Sequence, residues 1–185
     1  MNKIIKILCF ATLMSLVSCS GSPSSSESRP IGNTVNVYTV EGKEYSDLAE
    51  MIKDVKTSVV DINSYSATQI SAGSGVIVGK SDNNYFIITN HHVIDNGTSF
   101  EVIVYGDNDI STTYNGTLIG GSPINDIAVI SITSDVELNV ANFGDSSKLE
   151  VGNEVVAIGN PLGLGVSCSN GIISALEKEI YIKRN

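Results

Sequence analysis

The chain has 185 residues, enough for one small two-part domain or for one domain with a tail. Its hydrophobic fraction of 42% is that of an ordinary globular protein. The 11 basic and 20 acidic residues give a formal charge of −9, and Lys3 and Lys6 lie at the extreme N-terminus, so the remainder is more acidic still. That balance argues against nucleic acid as a partner and against a polybasic membrane clamp, since both need a basic surface.

Lys3 and Lys6 precede a mostly apolar run, Ile7 to Val17. The run suits a secretory signal core and is too short to span a bilayer as a helix. It ends Leu16-Val17-Ser18-Cys19, which resembles the bacterial lipoprotein signal. In that signal the peptidase cuts before the cysteine, and the cysteine carries the lipid. The alternative is an ordinary signal peptide with a chance cysteine. Ser18 and the Ser/Gly/Pro spacer after Cys19 favour the lipoprotein. Residues 1–18 are therefore expected to be signal peptide and Cys19 the lipidation site. More than one acyl chain there would anchor stably, each buried CH₂ contributing about 0.8 kcal/mol. The expected location is exported and lipid-anchored to the bacterial cell membrane, on its extracellular face or periplasmic side. With Cys9 removed and Cys19 acylated, Cys168 is left alone, so no internal disulfide is expected. No nearby cation marks Cys168 as a thiolate, and it reads as a half-buried strand cysteine.

Ser20 to Pro30 is polar and low in complexity, a tether rather than a folded element. Residues 19–44 form this tether and a weakly structured lead-in, in which Val35 to Val40 alternates as a short strand would. Ser46 and Asp47 open a helix: Ser46 can cap the free N–H groups, and Asp47 suits the positive end of the dipole. Leu48, Met51, Ile52 and Val55 fall on one apolar stripe, and the helix should end near Lys56. The period then changes to two. Val59–Ile62, Gly73–Val78, Tyr85–Thr89, Phe100–Tyr105, Tyr114–Ile119 and Ile127–Ile132 read as strands, with turn chemistry at Asp82-Asn83-Asn84 and Gly106–Asp109. Asp107 and Asp109 lack the later ligands of a calcium loop, which leaves a plain turn. Short strands at this spacing point to an all-β barrel or sandwich over residues 45–143. A break at Gly144–Ser147 opens residues 144–185, where Val155–Gly159 and Ser167–Leu176 flank a Gly-rich turn as a hairpin. One hairpin is not an independent domain, so these strands either complete the first barrel or begin a second.

The run Ile87-Ile88-Thr89-Asn90-His91-His92-Val93-Ile94 holds both histidines of the chain. The strand Tyr85–Thr89 leads to them, and a strand that stops at a histidine delivers an imidazole to a sheet edge, where it can work as a general base near neutral pH. Neighbouring side chains on a strand point apart, so the two rings cannot share a metal. There is neither an H-E-x-x-H nor a cysteine cluster, and no metal or cofactor is expected. A histidine base needs a carboxylate to fix its tautomer. Asp126, just before the apolar strand, is the candidate, at a place where a buried carboxylate is otherwise expensive. The bland alternative for Asp126 is a turn aspartate.

Four segments in order, Gly73-Ser74-Gly75-Val76-Ile77, Thr89–Ile94, Asn125-Asp126-Ile127-Ala128-Val129 and Val155–Leu164, followed by Asn170–Ala175, resemble the HtrA/Deg family of trypsin-like serine proteases. The resemblance implies a chymotrypsin-type double β-barrel with its active site between the barrels, preceded here by a short helix. The first barrel would be complete and the second truncated. It carries the general base onto His92 and the orienting carboxylate onto Asp126, with His91 a neighbour. It implies unfolded or damaged exported proteins as substrates, a possible homo-oligomer, and hydrolysis through an acyl-enzyme.

The family's nucleophile sits in a Gly-Asn-Ser-Gly-Gly-like loop beyond the strands that end near Leu176, and no Gly-x-Ser-Gly-Gly or Gly-x-Ser-x-Gly occurs here. Ser74 matches a structural strand of the family, and Ser167, Ser169 and Ser174 lie in the hairpin. The nucleophilic serine and its oxyanion donors are thus absent from these residues, as is a PDZ domain. Two expectations follow: a fragment of a serine endopeptidase that is inactive alone, or a catalytically inactive, protease-like surface lipoprotein that serves as a binding module or remnant.

Overall fold

The computed structural model describes residues 38–40, 43–106, 110–160 and 165–176. The signal segment with Cys9 and Cys19, the tether, Asp107, Asp109, and Pro161 to Leu164 of the Gly-rich turn all lie outside the described residues.

Strand β1 (Tyr38–Val40) pairs antiparallel with β2 (Lys43–Tyr45), so the lead-in strand is part of a small hairpin. Helix α1 follows over Leu48–Val55. Its N-cap is Asp47, one residue later than the sequence suggested: the Asp47 carboxylate accepts from the backbone N–H of Glu50. Ser46 takes the preceding position, where its N–H and its hydroxyl both donate to Glu50 Oε2. A carboxylate at the helix start satisfies an orphan N–H and meets the positive end of the dipole, so Asp47 serves both purposes.

Six strands then close a barrel: β3 (Val59–Tyr65), β4 (Ile70–Ser81), β5 (Asn84–Thr89), β6 (Ser99–Tyr105), β7 (Ser111–Ser122) and β8 (Ile127–Thr133). Their order around the barrel is β3-β4-β5-β8-β7-β6, and every neighbouring pair is antiparallel. Closure leaves no strand edge in this sheet. The period-two pattern is carried through to packing. Tyr85, Ile87 and Thr89 of β5, Phe100, Val102 and Val104 of β6, and Ala128, Ile130 and Ile132 of β8 are all buried, with less buried residues between them. All of these but Thr89 join Val60, Ile62 and Ile77 in one hydrophobic core. Asp82 turns the chain between β4 and β5 at φ 53°, a left-handed conformation that aspartate tolerates better than most residues. Bulges at Ile77/Gly79 and Leu118/Gly120 bend the two long strands.

Between β5 and β6 lies α2 (His91–Ile94), a single helical turn. The strand ends at Thr89, as the sequence suggested, but the two histidines sit on a helical turn and not on the strand end. The ladder stops at Thr89, and the N–H of Val93 donates to the carbonyl of Asn90 at 3.2 Å. Val93 and Ile94 are buried against the barrel. Their burial overrides the β-preference of their branched side chains.

After the barrel, β9 (Glu154–Gly159) and β10 (Ser167–Ile172) form a separate two-stranded antiparallel sheet. The all-β architecture, with a complete first barrel and a short second sheet, is the fold class expected from the sequence. Cys168 is exposed on β10, not half-buried as expected, because no part of the described structure covers that sheet's outer strand.

Candidate functional site

His92 stands on α2, and Asp126 closes the turn that joins β7 to β8. Gly73 sets the position of the histidine turn: a Cβ built there would fall 2.4 Å from Val93 Cγ2, closer than real atoms approach. Glycine at this point on β4 lets α2 lie directly on the barrel wall. Asp126 takes φ 52°, in the left-handed region, and the strand that follows pairs with β5. Both residues are thereby brought to the same end of the β5–β8 pair.

The carboxylate of Asp126 is held by three donors. Oδ1 accepts from the backbone N–H of His92 at 2.9 Å. Oδ2 lies 2.8 Å from His92 Nδ1 and accepts from Asn90 Nδ2 at 3.2 Å. The Asn90 amide also donates to the backbone carbonyl of Asp126 at 3.1 Å. The backbone N–H of His92, then its ring, and finally the Asn90 amide hold the Asp126 carboxyl below the usual aspartate range, against a smaller upward push from burial. An ionised Asp126 is acceptor-only, so Nδ1 must carry the proton that they share. Nε2 is then the nitrogen available to accept a proton from a reacting group.

The site is open. The side chain of His92 is 72% exposed and that of Asp126 is 44% exposed. Asp126 is therefore not the buried carboxylate that the apolar context suggested. Donors from Asn90 and His92, rather than burial, fix its orientation. His91 points elsewhere, towards Gly121, where an added Cβ would meet its Cδ2 at 3.0 Å.

Among the described residues, no serine is hydrogen-bonded to His92. Ser74 Oγ accepts from the N–H of Asn160 at 2.7 Å, and Ser167 Oγ donates to the carbonyl of Gly159 at 3.2 Å. Ser174 Oγ is 3.5 Å from the Ile172 carbonyl, and Ser169 is exposed on β10. No group of three or more metal-ligating side chains forms among the described residues. Asn90 was not singled out as a site residue from the sequence. Its position next to the histidines was the only signal, because its partner is 36 residues away.

The chain matches the family model described as a trypsin-like peptidase domain over residues 73–185. It is 31% identical over 159 residues to the serine protease Do-like HtrA of Bacillus subtilis (strain 168), covering 76% of this chain and 34% of that protein. To the probable periplasmic serine endoprotease DegP-like of Bartonella henselae it is 43% identical over 111 residues, covering 60% of this chain and 21% of that one. Among solved structures, the crystal structure of Deg5 superposes with a TM-score of 0.60 at 30% identity, covering 71% of this chain and 64% of that one. The chain thus spans about a third or less of the length of these two curated relatives.

Proposed function

The chain belongs to the trypsin-like peptidase family, in its HtrA/Deg branch, and on that premise we propose that His92 and Asp126 are the general base and orienting carboxylate of a serine-type endopeptidase site. The observation that carries this reading is the 2.8 Å contact between His92 Nδ1 and Asp126 Oδ2, reinforced by the 2.9 Å bond from the His92 N–H to the same carboxylate.

The chemistry follows from that geometry. Asp126 holds the ring with Nδ1 protonated, so Nε2 presents a lone pair. Nε2 takes the proton of a serine hydroxyl as its oxygen attacks the peptide carbonyl carbon. The imidazolium formed is stabilised by the neighbouring carboxylate and then gives the proton to the departing amine. Water repeats the sequence on the acyl-enzyme. The substrates are unfolded or damaged exported proteins, and a homo-oligomeric assembly fits the reading.

No Gly-x-Ser-Gly-Gly stands in these 185 residues. They supply the base and the carboxylate but not the nucleophile, and hydrolyse no peptide bond by themselves. Loss of the serine from a triad costs about 10⁶-fold in rate. The test is a fluorophosphonate probe on the purified chain. No labelled serine is expected. A serine whose labelling disappears in His92→Ala would place the nucleophile within these residues and overturn this part of the reading.

The same missing motif supports a second reading, a protease-like module that binds unfolded chains without cutting them. Saturable binding of reduced, carboxymethylated casein, unaffected by His92→Ala and without cleavage, would favour it over the catalytic one.

The proposed location is outside the cytoplasm, with Cys19 acylated and the chain tethered through residues 20–30. Cys19→Ser should release the protein from washed membranes and abolish incorporation of a labelled fatty acid. Retention of label would rule out this anchor.

A further inference from the structure

A second polar cluster lies outside the His92–Asp126 pair, where β9 reaches the barrel. Asp61, on β3, is 6% exposed and Asn160, at the end of β9, is 5% exposed. Asp61 and Ser74 are direct cross-strand partners on β3 and β4. Between them they take hold of Asn160. Asp61 Oδ2 accepts from Asn160 Nδ2 at 2.6 Å, and Ser74 Oγ accepts from the Asn160 N–H at 2.7 Å. The remaining side-chain oxygen of Asn160 accepts from the N–H of Gly165 at 3.1 Å, which ties the two ends of the Gly-rich turn together. Tyr105 of β6 donates its hydroxyl to the same Asp61 oxygen at 2.6 Å.

A carboxylate on the outer face of a barrel strand has no need of burial, and taking it out of water is unfavourable unless its partners compensate. Among the described residues Asp61 Oδ1 has no hydrogen-bond partner, which adds to that cost. A group kept at such a cost is explained by what it holds. Ser74 shows where the hold leads. Its hydroxyl receives Asn160, while its carbonyl accepts from Thr89 Oγ1 at 2.8 Å. Thr89 ends β5 immediately before Asn90, whose amide binds Asp126. Gly73, next to Ser74, carries the contact with Val93 of the histidine turn. One short stretch of β4 therefore meets both the second sheet and the element that bears His92.

We propose that Asp61 is a positioning residue: with Ser74 it forms a buried socket for Asn160 that sets how the second sheet is seated on the histidine-bearing end of the barrel. The inference concerns the seating of the sheet and does not depend on the proteolytic reading.

Site-resolved amide hydrogen exchange on the full chain tests it, because local release and global destabilisation leave different patterns. In Asp61→Ala, the Gly165 and Asn160 amides should exchange about ten- to hundredfold faster, the range for losing a charge-assisted bond, while Ile87 and Val102 stay within about threefold. Asn160→Ala should release Gly165 similarly, and the double variant should add nothing further, since both changes break the same link. Unchanged exchange at Gly165 in Asp61→Ala, equal acceleration at every amide, or additive effects in the double variant would overturn the proposal. If Asp61→Ala does not fold, Ser74→Ala decides, since it deletes one hydroxyl. Faster exchange confined to Asn160 supports the socket, and unchanged or uniformly faster exchange refutes it.

Discussion

Replacing Gly73 by alanine should disturb the candidate site without touching any of its polar residues. The added Cβ would lie 2.4 Å from Val93 Cγ2, 3.0 Å from Cγ1 and 3.3 Å from Cβ. Carbon atoms in ordinary contact are about 3.5–4.0 Å apart, so the shortest separation falls short by roughly 1 Å. Rotating Val93 does not relieve this, because both methyls and the Cβ crowd the same point. Val93 is only 4% exposed, which leaves it no open side. The turn α2 must therefore shift as a unit, and His92 with it. The Nδ1–Oδ2 contact is 2.8 Å, and N–H···O bonds weaken beyond about 3.2 Å, so a shift of this size is enough to break it. Overpacking of this kind costs about 1–3 kcal/mol. Gly120→Ala is the control, since a Cβ there meets nothing within 4 Å. Urea unfolding should lower the stability of Gly73→Ala by that amount and leave Gly120→Ala within about 0.5 kcal/mol of the parent. The imidazole resonances of His92 should move in the first variant alone. A Gly73→Ala protein with unchanged stability and unchanged His92 signals would refute the claim that this glycine seats the histidine turn.

Two titrations read the charges. Asp126 has a depressed carboxyl in the folded protein, so its contribution to stability is present above the unfolded aspartate value of about 3.9 and is lost as pH falls through the lower folded value. The largest cause is the backbone N–H of His92, which survives His92→Ala, so carbon-detected NMR should show the Asp126 pKa rising only part of the way in that variant. Complete return to about 3.9 would show that the ring alone sets it. Tyr105 is pushed up to about 12, first by its bond to Asp61, then by burial and the nearby charge. A raised pKa stabilises the fold below the unfolded tyrosine value of about 10, and that contribution should be lost as pH rises through about 12. Ultraviolet titration of Asp61→Ala should find Tyr105 moved down towards about 10, and no movement would exclude the Asp61 bond as the main cause.

The barrel was legible in the sequence because its strands obey one rule. Tyr85, Ile87 and Thr89, or Ala128, Ile130 and Ile132, alternate with less buried residues as period two requires. The histidine turn was not legible, because Val93 and Ile94 are β-branched and extend a run that does form a strand up to Thr89. Only their packing on Gly73 and the barrel end shows that the chain has turned. Local pattern offered Asp126 only as a candidate partner for a histidine, with a turn aspartate as the alternative, and the resemblance is what assigned the roles to His92 and Asp126. The exposure of the pair was not anticipated, since an aspartate before an apolar strand gives no sign of which way its side chain leaves the sheet. The Asp61–Asn160 contact joins residues 99 apart and had no signal at all. A lone aspartate in Val59-Val60-Asp61-Ile62 reads as an interruption of an apolar strand until the partner that buries it is in place.

The most direct test of the catalytic assignment is the tautomer of His92, read by ¹⁵N–¹H NMR on the intact chain with the ring neutral. The geometry predicts a proton on Nδ1, shifted downfield by the Asp126 carboxylate, an unprotonated Nε2, and loss of the downfield signal in Asp126→Ala. A neutral ring protonated on Nε2, or an Nδ1 proton indifferent to Asp126→Ala, would contradict the assignment of His92 and Asp126 as base and orienting carboxylate.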